Sequence, residues 1–161
     1  MTGIHQLLLT TFAAAGDSAT LEYLIIAGGG GGGSHAGGGG GSGGYRSSVI
    51  GETSGGPSTI EPPLTIETST RYVIDVGAGG GGTPNGFGSA GFTSSINNTA
   101  SGGSQNIIST GGGYGAGGSG NAGDSGGNGG SGGGGNGYPT SPVQTVSGGN
   151  KTASPVQGTD G

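Results

Sequence analysis

Glycine recurs at every third position between residues 117 and 137, in the stretch GGSGNAGDSGGNGGSGGGGNG. The intervening positions carry only Gly, Ser, Asn, Ala and Asp, so neither a bulky side chain nor a proline interrupts the period. A three-residue repeat of small residues predicts an extended three-fold helix, in which backbones can pack directly against one another. Collagen is a poor match, because its triple helix depends on proline between the glycines.

Composition makes a conventional apolar core hard to build. Glycine accounts for 49 of the 161 residues and hydrophobic residues for 27%, against roughly 45–50% in average domains. Ordering each residue costs about 1–2 kcal/mol of backbone entropy, which side-chain burial alone offsets poorly here. Hydrogen bonds between neighbouring glycine helices are another source of stability, since their N–H and C=O groups point outward. A disordered Gly/Ser-rich linker is the competing interpretation, and the hydrophobic segments spaced along the chain argue against it.

Charge and motif content argue against several function classes. Three Lys+Arg against eight Asp+Glu give a net charge of −5, so no basic patch favours nucleic acid. The chain has no cysteine, which rules out disulfides and thiolate metal sites, and no apolar run reaches the ~18 residues of a membrane span. Matches to GxGxxG lack the helical period that follows the glycines of a dinucleotide site. We therefore expect no enzyme activity, no cofactor, no metal, no nucleic-acid partner and no membrane insertion.

Apolar segments run directly into glycine stretches, which we call arms. These segments are LEYLIIA (21–27), RYVIDV (71–76) and NIIST (106–110). Apolar residues on both faces predict that the second half of 21–27 is a strand buried on both sides. Alternation in 71–76 predicts that Tyr72, Ile74 and Val76 face inward. The triplet run is then the last and longest arm.

The first glycine stretch contains a short polar interruption. Glycines at 28–33 and a stretch at 37–44 that is glycine apart from Ser42 flank Ser34, His35 and Ala36, which predicts a there-and-back pair of arms with His35 at the apex. Each arm would span roughly 3.1 Å per residue. No second ligand lies at a sensible spacing from His35, so we expect an exposed tip and not a metal site.

A second turn is predicted at residues 83–86, TPNG, because proline presets φ and Asn-Gly tolerates positive φ. Phe87, Phe92 and Ile96 follow it at the spacing of inward anchors of a short strand.

The order of these parts resembles a known family. The strings LEYLIIAGGGGGG, GGYR, RYVIDVGAGG and NIISTGGG occur in that order. They are similar to the glycine-rich domain of bacteriophage tail-fibre, tail-tip and other virion proteins, over most of residues 21–137. Residues and resemblance together predict a mainly β and irregular fold. In it, short strands feed glycine-rich arms that pack as polyglycine II helices, with little or no α-helix.

The resemblance implies a structural role in a phage virion, as a fibre or appendage subunit. Residues 1–16 would anchor the chain on other virion structural proteins, and residues 17–137 would form the projecting glycine-rich body. Residues 138–161 would be a polar loop or the start of a further segment, so we expect the polypeptide to continue. Virion fibres are usually symmetric, and half-exposed strands need cover, so we expect a homo-oligomer, first of all a trimer.

Two groups of residues are candidate sites. The virion anchor comprises Ile4, His5, Gln6, Leu7, Leu8 and Leu9. The turns facing a host-surface glycan or protein comprise Ser34, His35, Asn85, Tyr114 and Tyr138. For the tyrosines beside the arms, packing against glycine is favoured over ligand stacking. For the N-terminal segment, an ordinary first strand or helix and a cleaved signal peptide are the alternatives.

Other interpretations remain open at this point. The same fold could serve a capsid decoration or head-fibre protein, since nothing in the sequence separates head from tail. A polyglycine II ice-binding protein is the alternative of another class. An ice-binding face would need a regular row of Thr or Ala, whereas the second and third triplet positions here are mixed.

Overall fold

The computed structural model describes residues 18–56, 59–68, 70–98, 106–118, 123–137 and 146–161. These residues contain no α-helix, and their regular structure consists of short β-strands. The mainly β and irregular class predicted from the sequence is therefore confirmed. Helix is disfavoured because each glycine in a helix costs about 1 kcal/mol relative to alanine.

The strands form three small antiparallel sheets: β1–β4, β2–β3 and β5–β6–β7. Their bounds are β1 Ser18–Leu21, β2 Leu24–Ile26, β3 Tyr45–Ser47, β4 Leu64–Glu67, β5 Tyr72–Asp75, β6 Ser94–Asn98 and β7 Ile107–Ser109. In the three-stranded sheet, Ile96 of β6 lies opposite Ile74 on one side and Ile107 on the other.

The segment 21–27 is divided between two of these sheets. β1 ends at Leu21 and β2 begins at Leu24. Tyr23 and Ile25 are buried, whereas Leu24 and Ile26 are 51% and 55% exposed. The prediction of burial on both faces was wrong, because β2 pairs with β3 alone and this sheet is covered on one face.

Beyond the strands the chain runs as extended arms that lie side by side. The described residues contain eight: arm 1 (28–33), arm 2 (37–44), arm 3 (77–82), arm 4 (86–92), arm 5 (111–118), arm 6 (123–130), arm 7 (131–137) and arm 8 (146–150). Backbone hydrogen bonds connect them into one bundle.

Arm 1 shows the hydrogen-bond pattern. The N–H groups of Ala27, Gly30 and Gly33 donate to arm 2 at 2.8–3.0 Å. The residues one position later donate to arm 4 at 2.8–3.0 Å, and their carbonyls accept from arm 5 at 2.8–3.0 Å. Successive residues therefore point in different directions around the arm, and every third residue points the same way. This is the geometry of a three-fold extended helix, so the arms pack as polyglycine II helices.

Neighbouring arms run in both relative directions. Arms 1 and 2 are an antiparallel pair joined by a turn, as predicted. Arms 3 and 4 form a second antiparallel pair across the turn predicted at residues 83–86, although the segment after that turn was predicted to be a strand. The triplet run also folds back on itself, since arm 6 lies antiparallel to arm 5 and arm 7 parallel to it. The chain reverses near Gly130 and Ser131. The prediction of one long arm was therefore wrong, because a uniform period does not mark where the chain turns.

Close packing of the arms explains the need for glycine. A Cβ on Gly31 would overlap a carbonyl of arm 3, whereas a Cβ on Gly32 would lie 3.7 Å from the nearest atom. In arm 2, a Cβ on Gly40 would overlap a carbonyl of arm 1, whereas a Cβ on Gly39 would have no atom within 4 Å. Open positions such as Gly32 and Gly39 thus alternate with positions such as Gly31 and Gly40, where a neighbouring backbone leaves no room for a Cβ.

A small apolar core lies where the strands gather. It comprises Tyr23, Ile25, Leu64 and Ile107, with Ile66, Tyr72 and Ile96 packed against it. Tyr72 thus faces inward as predicted, but Ile74 is 70% exposed and Val76 85% exposed, so that prediction was wrong for both. Phe87 and Phe92 are also exposed, contrary to prediction. They belong to arm 4, whose three-residue period replaces the alternation of a strand.

Residues 146–161 pack against the bundle. Gln157 is 3% exposed, and its side-chain oxygen accepts a hydrogen bond from the Thr110 N–H at 2.7 Å. The Gln157 carbonyl accepts from the Tyr45 N–H at 2.9 Å, and Gly149 of arm 8 donates to Gly133 at 2.7 Å. This part of the segment therefore shares the hydrogen-bond network of the arms.

Candidate binding surface at the tip of the bundle

The bundle has two unlike ends. The strands gather at one end, and the turns joining arms 1 to 2 and arms 3 to 4 lie at the other, which we call the tip. Arm 1 separates the two ends by about 19 Å, at roughly 3.1 Å per residue. Arms 5 and 7 also run toward the tip and reach it at Gly118 and Gly137. The tip therefore brings together segments that are far apart in sequence.

Ser34 ties three of these segments together. Its hydroxyl accepts a hydrogen bond from the Gly86 N–H at 2.8 Å. Its own N–H donates to the Gly86 carbonyl at 3.0 Å, and its carbonyl accepts from the Gly118 N–H at 3.0 Å. The residue is 5% exposed. Among the predicted tip residues, Ser34 is thus placed to position the turns and not to face solvent.

His35 and Asn85 are exposed residues of the two turns. His35 has φ of 55°, in the left-handed region that non-glycine residues seldom adopt, and its Nδ1 lies 3.1 Å from the Ser34 hydroxyl. Asn85 is held by Thr83, whose hydroxyl accepts from the Asn85 N–H at 3.2 Å and donates to its carbonyl at 2.9 Å. Both side chains are exposed on structured turns.

An aromatic pair stands beside the turns. The rings of Phe87 and Tyr114 meet edge to face, with centroids 5.7 Å apart and planes at 83°. Tyr114 is half-buried and its ring covers Gly127, where a Cβ would strike it. Phe87 is 47% exposed. The sequence had placed Phe87 inside, although a large aromatic directly after a turn is a feature that could have marked it as a tip residue.

Two further residues reach the tip from the triplet run. The Asn136 N–H donates to the Asp124 carbonyl at 3.1 Å, and its Nδ2 donates to the Gly117 carbonyl at 3.2 Å. Sequence reasoning missed both, because it did not predict that arms 6 and 7 fold back to this end. Tyr138 and the predicted anchor, Ile4 to Leu9, lie outside the described residues.

The strand end contains a polar cluster of a different kind. Arg46 of β3 forms an ion pair with Glu61, with Nε at 2.9 and 3.1 Å from the two carboxylate oxygens and Nη2 also in contact. Glu61 further accepts from the Tyr23 hydroxyl at 3.0 Å and from the Ser54 hydroxyl at 2.8 Å. A pocket of about 440 Å³ adjoins the cluster and is lined also by Pro62, Pro63, Leu64 and Ile107. Both carboxylate oxygens of Glu61 accept hydrogen bonds from within the protein. The cluster therefore links β3 to the segments that carry Tyr23, Ser54 and Glu61.

The cluster lowers the pKa of Glu61 and raises the pKa of Tyr23. Burial alone would raise the pKa of Glu61, but hydrogen bonds from Arg46, Ser54 and Tyr23 and the charge of Arg46 hold it below its usual value. Burial, together with the negative charge of Glu61 and the hydrogen bond to it, raises the pKa of Tyr23 to about 12. Glu61 therefore stays ionised and Tyr23 stays protonated across the neutral range.

The described residues show neither a metal-binding cluster nor a membrane-spanning helix. No group of three or more His, Cys, Asp or Glu side chains among them could hold a metal ion. Nor do they include a helix with the length and hydropathy that crossing a bilayer requires.

Comparison with protein families gives a match over most of the chain. A model of the glycine-rich domain matches residues 8–161. The chain belongs to the glycine-rich domain family. The glycine-rich domain thus spans every arm and strand described above, including the residues 146–161 that pack on the bundle. No curated protein and no solved structure gives a match.

Proposed function

We propose that this glycine-rich domain protein is a structural protein of a bacteriophage virion, serving as a fibre or appendage subunit. The observation that carries the proposal is that the two ends of the bundle differ, with strands at one end and turns at the other. Exposed turns lie at the tip, and β1, which begins at Ser18, two residues after the end of the proposed anchor, lies at the strand end. An anchor at residues 1–16 would attach the strand end to other virion proteins and leave the tip pointing outward.

The body suits exposure outside a cell. Its arms bond through their backbones, so few side chains and few irregular stretches are offered to a protease. At the tip, the His35, Asn85 and Phe87 side chains combine hydrogen-bonding groups with an aromatic face. Such a combination fits a host-surface glycan or a polar protein surface. The trimer expected from the sequence stays a prediction.

Labelling intact particles tests the location. Antibodies raised against the purified chain, coupled to gold, are expected to mark fibres or appendages on phage particles in electron micrographs. Label over the capsid would indicate a head-decoration protein instead. Particles that carry no label, and whose purified proteins do not include the chain, would overturn the virion role.

Competition for host cells tests the role of the tip. The purified chain is expected to slow phage adsorption, and the substitutions His35→Ala, Asn85→Ala and Phe87→Ala should weaken this effect. Ile50→Ala is the matched control, because Ile50 is 84% exposed and lies near the strand end. Periodate treatment of the cells separates a glycan receptor from a protein receptor. Equal competition by tip and control variants would contradict recognition by the tip.

A further inference from the structure

Strand β5 forms an open edge of the three-stranded sheet. The strand order is β5–β6–β7, and no other strand of the described chain pairs with the outer side of β5. The opposite edge is covered, because Arg46 and Gln157 both donate hydrogen bonds to the Ile108 carbonyl of β7, at 3.0 and 3.3 Å. An uncovered edge presents unpaired N–H and C=O groups to which a further strand can bond.

One face of this sheet is apolar, and it is buried in the core at β7 but exposed at β5. Ile107, Ile96 and Ile74 lie in one row across the three strands. Their exposure rises outward along the row: Ile107 is 8% exposed, Ile96 is half-buried and Ile74 is 70% exposed. Val76, just beyond the end of β5, is 85% exposed. The sheet therefore ends in an apolar strip at the same strand whose outer edge no other described strand covers.

We propose that β5 pairs antiparallel with β5 of a second copy of this chain, about a two-fold axis at Val73. This register sets Arg71 opposite Asp75 of the second copy, and the symmetry repeats that charge pair at the other end. Tyr72 then lies opposite Ile74 on the apolar face. Directly opposite residues in an antiparallel pair share a face of the sheet, and opposite charges there stabilise the pairing.

Charge selects this register among those that a two-fold axis allows. An axis at Asp75 would set the two Asp75 carboxylates against each other, which is destabilising. An axis at Ile74 would set Asp75 opposite Val73 and would leave Arg71 opposite Gly77. An axis at Val73 instead sets opposite charges against each other at both ends of the pairing, because Arg71, just before β5, lies opposite Asp75 of the other copy.

The pairing makes a continuous sheet of six strands and covers Ile74 on both copies. A strand that pairs with itself closes on a dimer, because the contact is the same on both subunits. A trimer would require β5 to bond to a different edge. The dimer departs in this respect from the trimer that the sequence suggested, and it does not depend on the virion role.

Disulfide trapping tests the position of the axis. The chain has no cysteine, so Val73→Cys places a single thiol on each copy, directly opposite its equivalent. Mild oxidation of the full chain is expected to convert most of this variant to a covalent dimer. Ile50→Cys is the control, since Ile50 is at least as exposed and lies away from β5. Equal, slow crosslinking of the two variants would overturn the proposal.

Charge reversal tests the register independently. Arg71→Asp and Asp75→Arg each place like charges at both ends of the pairing, so each should raise the dimer dissociation constant by about tenfold. The double variant restores both pairs and should return the constant to within about threefold of the starting value. Sedimentation equilibrium of the full chain measures all three. Failure of the double variant to restore dimerisation, or an unaltered chain that sediments as a monomer or a trimer, would overturn the proposal.

Discussion

Arg46 and Glu61 form an ion pair whose side chains are 13% and 12% exposed, at the point where β3 meets the segment leading to β4. Because the pair is largely shielded from water, removing one partner leaves a charge without compensation. Glu61 also receives the Tyr23 and Ser54 hydroxyls. The four residues connect β3 with the segment between β1 and β2 and with the loop that leads to β4, in a protein with a small apolar core.

The first prediction concerns this pair. Glu61→Ala is expected to lower the free energy of unfolding by about 3 kcal/mol, since it leaves the largely buried guanidinium of Arg46 without its counter-ion. Urea denaturation followed by circular dichroism measures the loss. The double substitution Arg46→Met with Glu61→Leu should cost much less than Glu61→Ala, because it leaves no unpaired charge. A double variant that is less stable than the single variant would contradict this account.

The second prediction concerns pH. The pKa of Glu61 is lowered in the folded state, so its stabilising effect is present above the ordinary value of 4.5 and is lost as pH falls toward the lowered value. The pKa of Tyr23 is raised from 10.0 to about 12, so stability should fall as pH rises through that interval. Denaturation midpoints across pH measure both limbs. Glu61→Gln should flatten the acid limb and Tyr23→Phe the alkaline limb, and unaltered limbs would contradict the assignment.

The third prediction concerns two adjacent glycines of arm 2. Gly40→Ala should destabilise the fold by about 1–3 kcal/mol, because its Cβ would overlap a carbonyl of arm 1. Gly39→Ala is the matched control and should be neutral or stabilising by up to about 1 kcal/mol, since the site is open and φ is not in the left-handed region. Thermal melting of the two variants measures the contrast. Equal melting temperatures would show that arms 1 and 2 do not pack in this register.

The fourth prediction concerns Ser34. Ser34→Ala removes the acceptor of the part-buried Gly86 N–H at the tip, so it should cost about 1 kcal/mol, at the low end of the range for an unpaired donor. Ser89→Ala, at an exposed serine of arm 4, should change stability by no more than about 0.5 kcal/mol. Hydrogen exchange should show faster exchange at Gly86 in the Ser34 variant. Unchanged exchange at that amide would contradict the positioning role of Ser34.

The sequence predicted the arms better than it predicted the faces of the strands. The three-residue period and the turns at His35 and Asn85 followed from local chemistry, namely small residues and a Pro-Asn-Gly turn. The exposure of Ile74 and Leu24 did not follow from it. Alternation predicts two faces of a strand, and whether a face is covered depends on how many strands pair and on what packs over them.

The tip was likewise predicted only in part. His35 and Asn85 lie on exposed turns as expected, whereas Ser34 turned out to be buried through contacts with arms 4 and 5. Asp124 and Asn136 could not have been placed, because a uniform glycine repeat gives no local indication of where the chain reverses. Contacts between arms, set by hydrogen bonds between distant residues, decide these positions.

The three-residue hydrogen-bond period also constrains how such a protein can change length during evolution. Inserting one or two residues into arm 1 would rotate every later donor away from its acceptor on arms 2 and 4. Inserting three would restore the pattern and lengthen that arm by about 9 Å. Within arms, viable insertions and deletions should therefore come in whole triplets, matched between bonded neighbours. The turns at His35 and Asn85 can vary in length without this restriction.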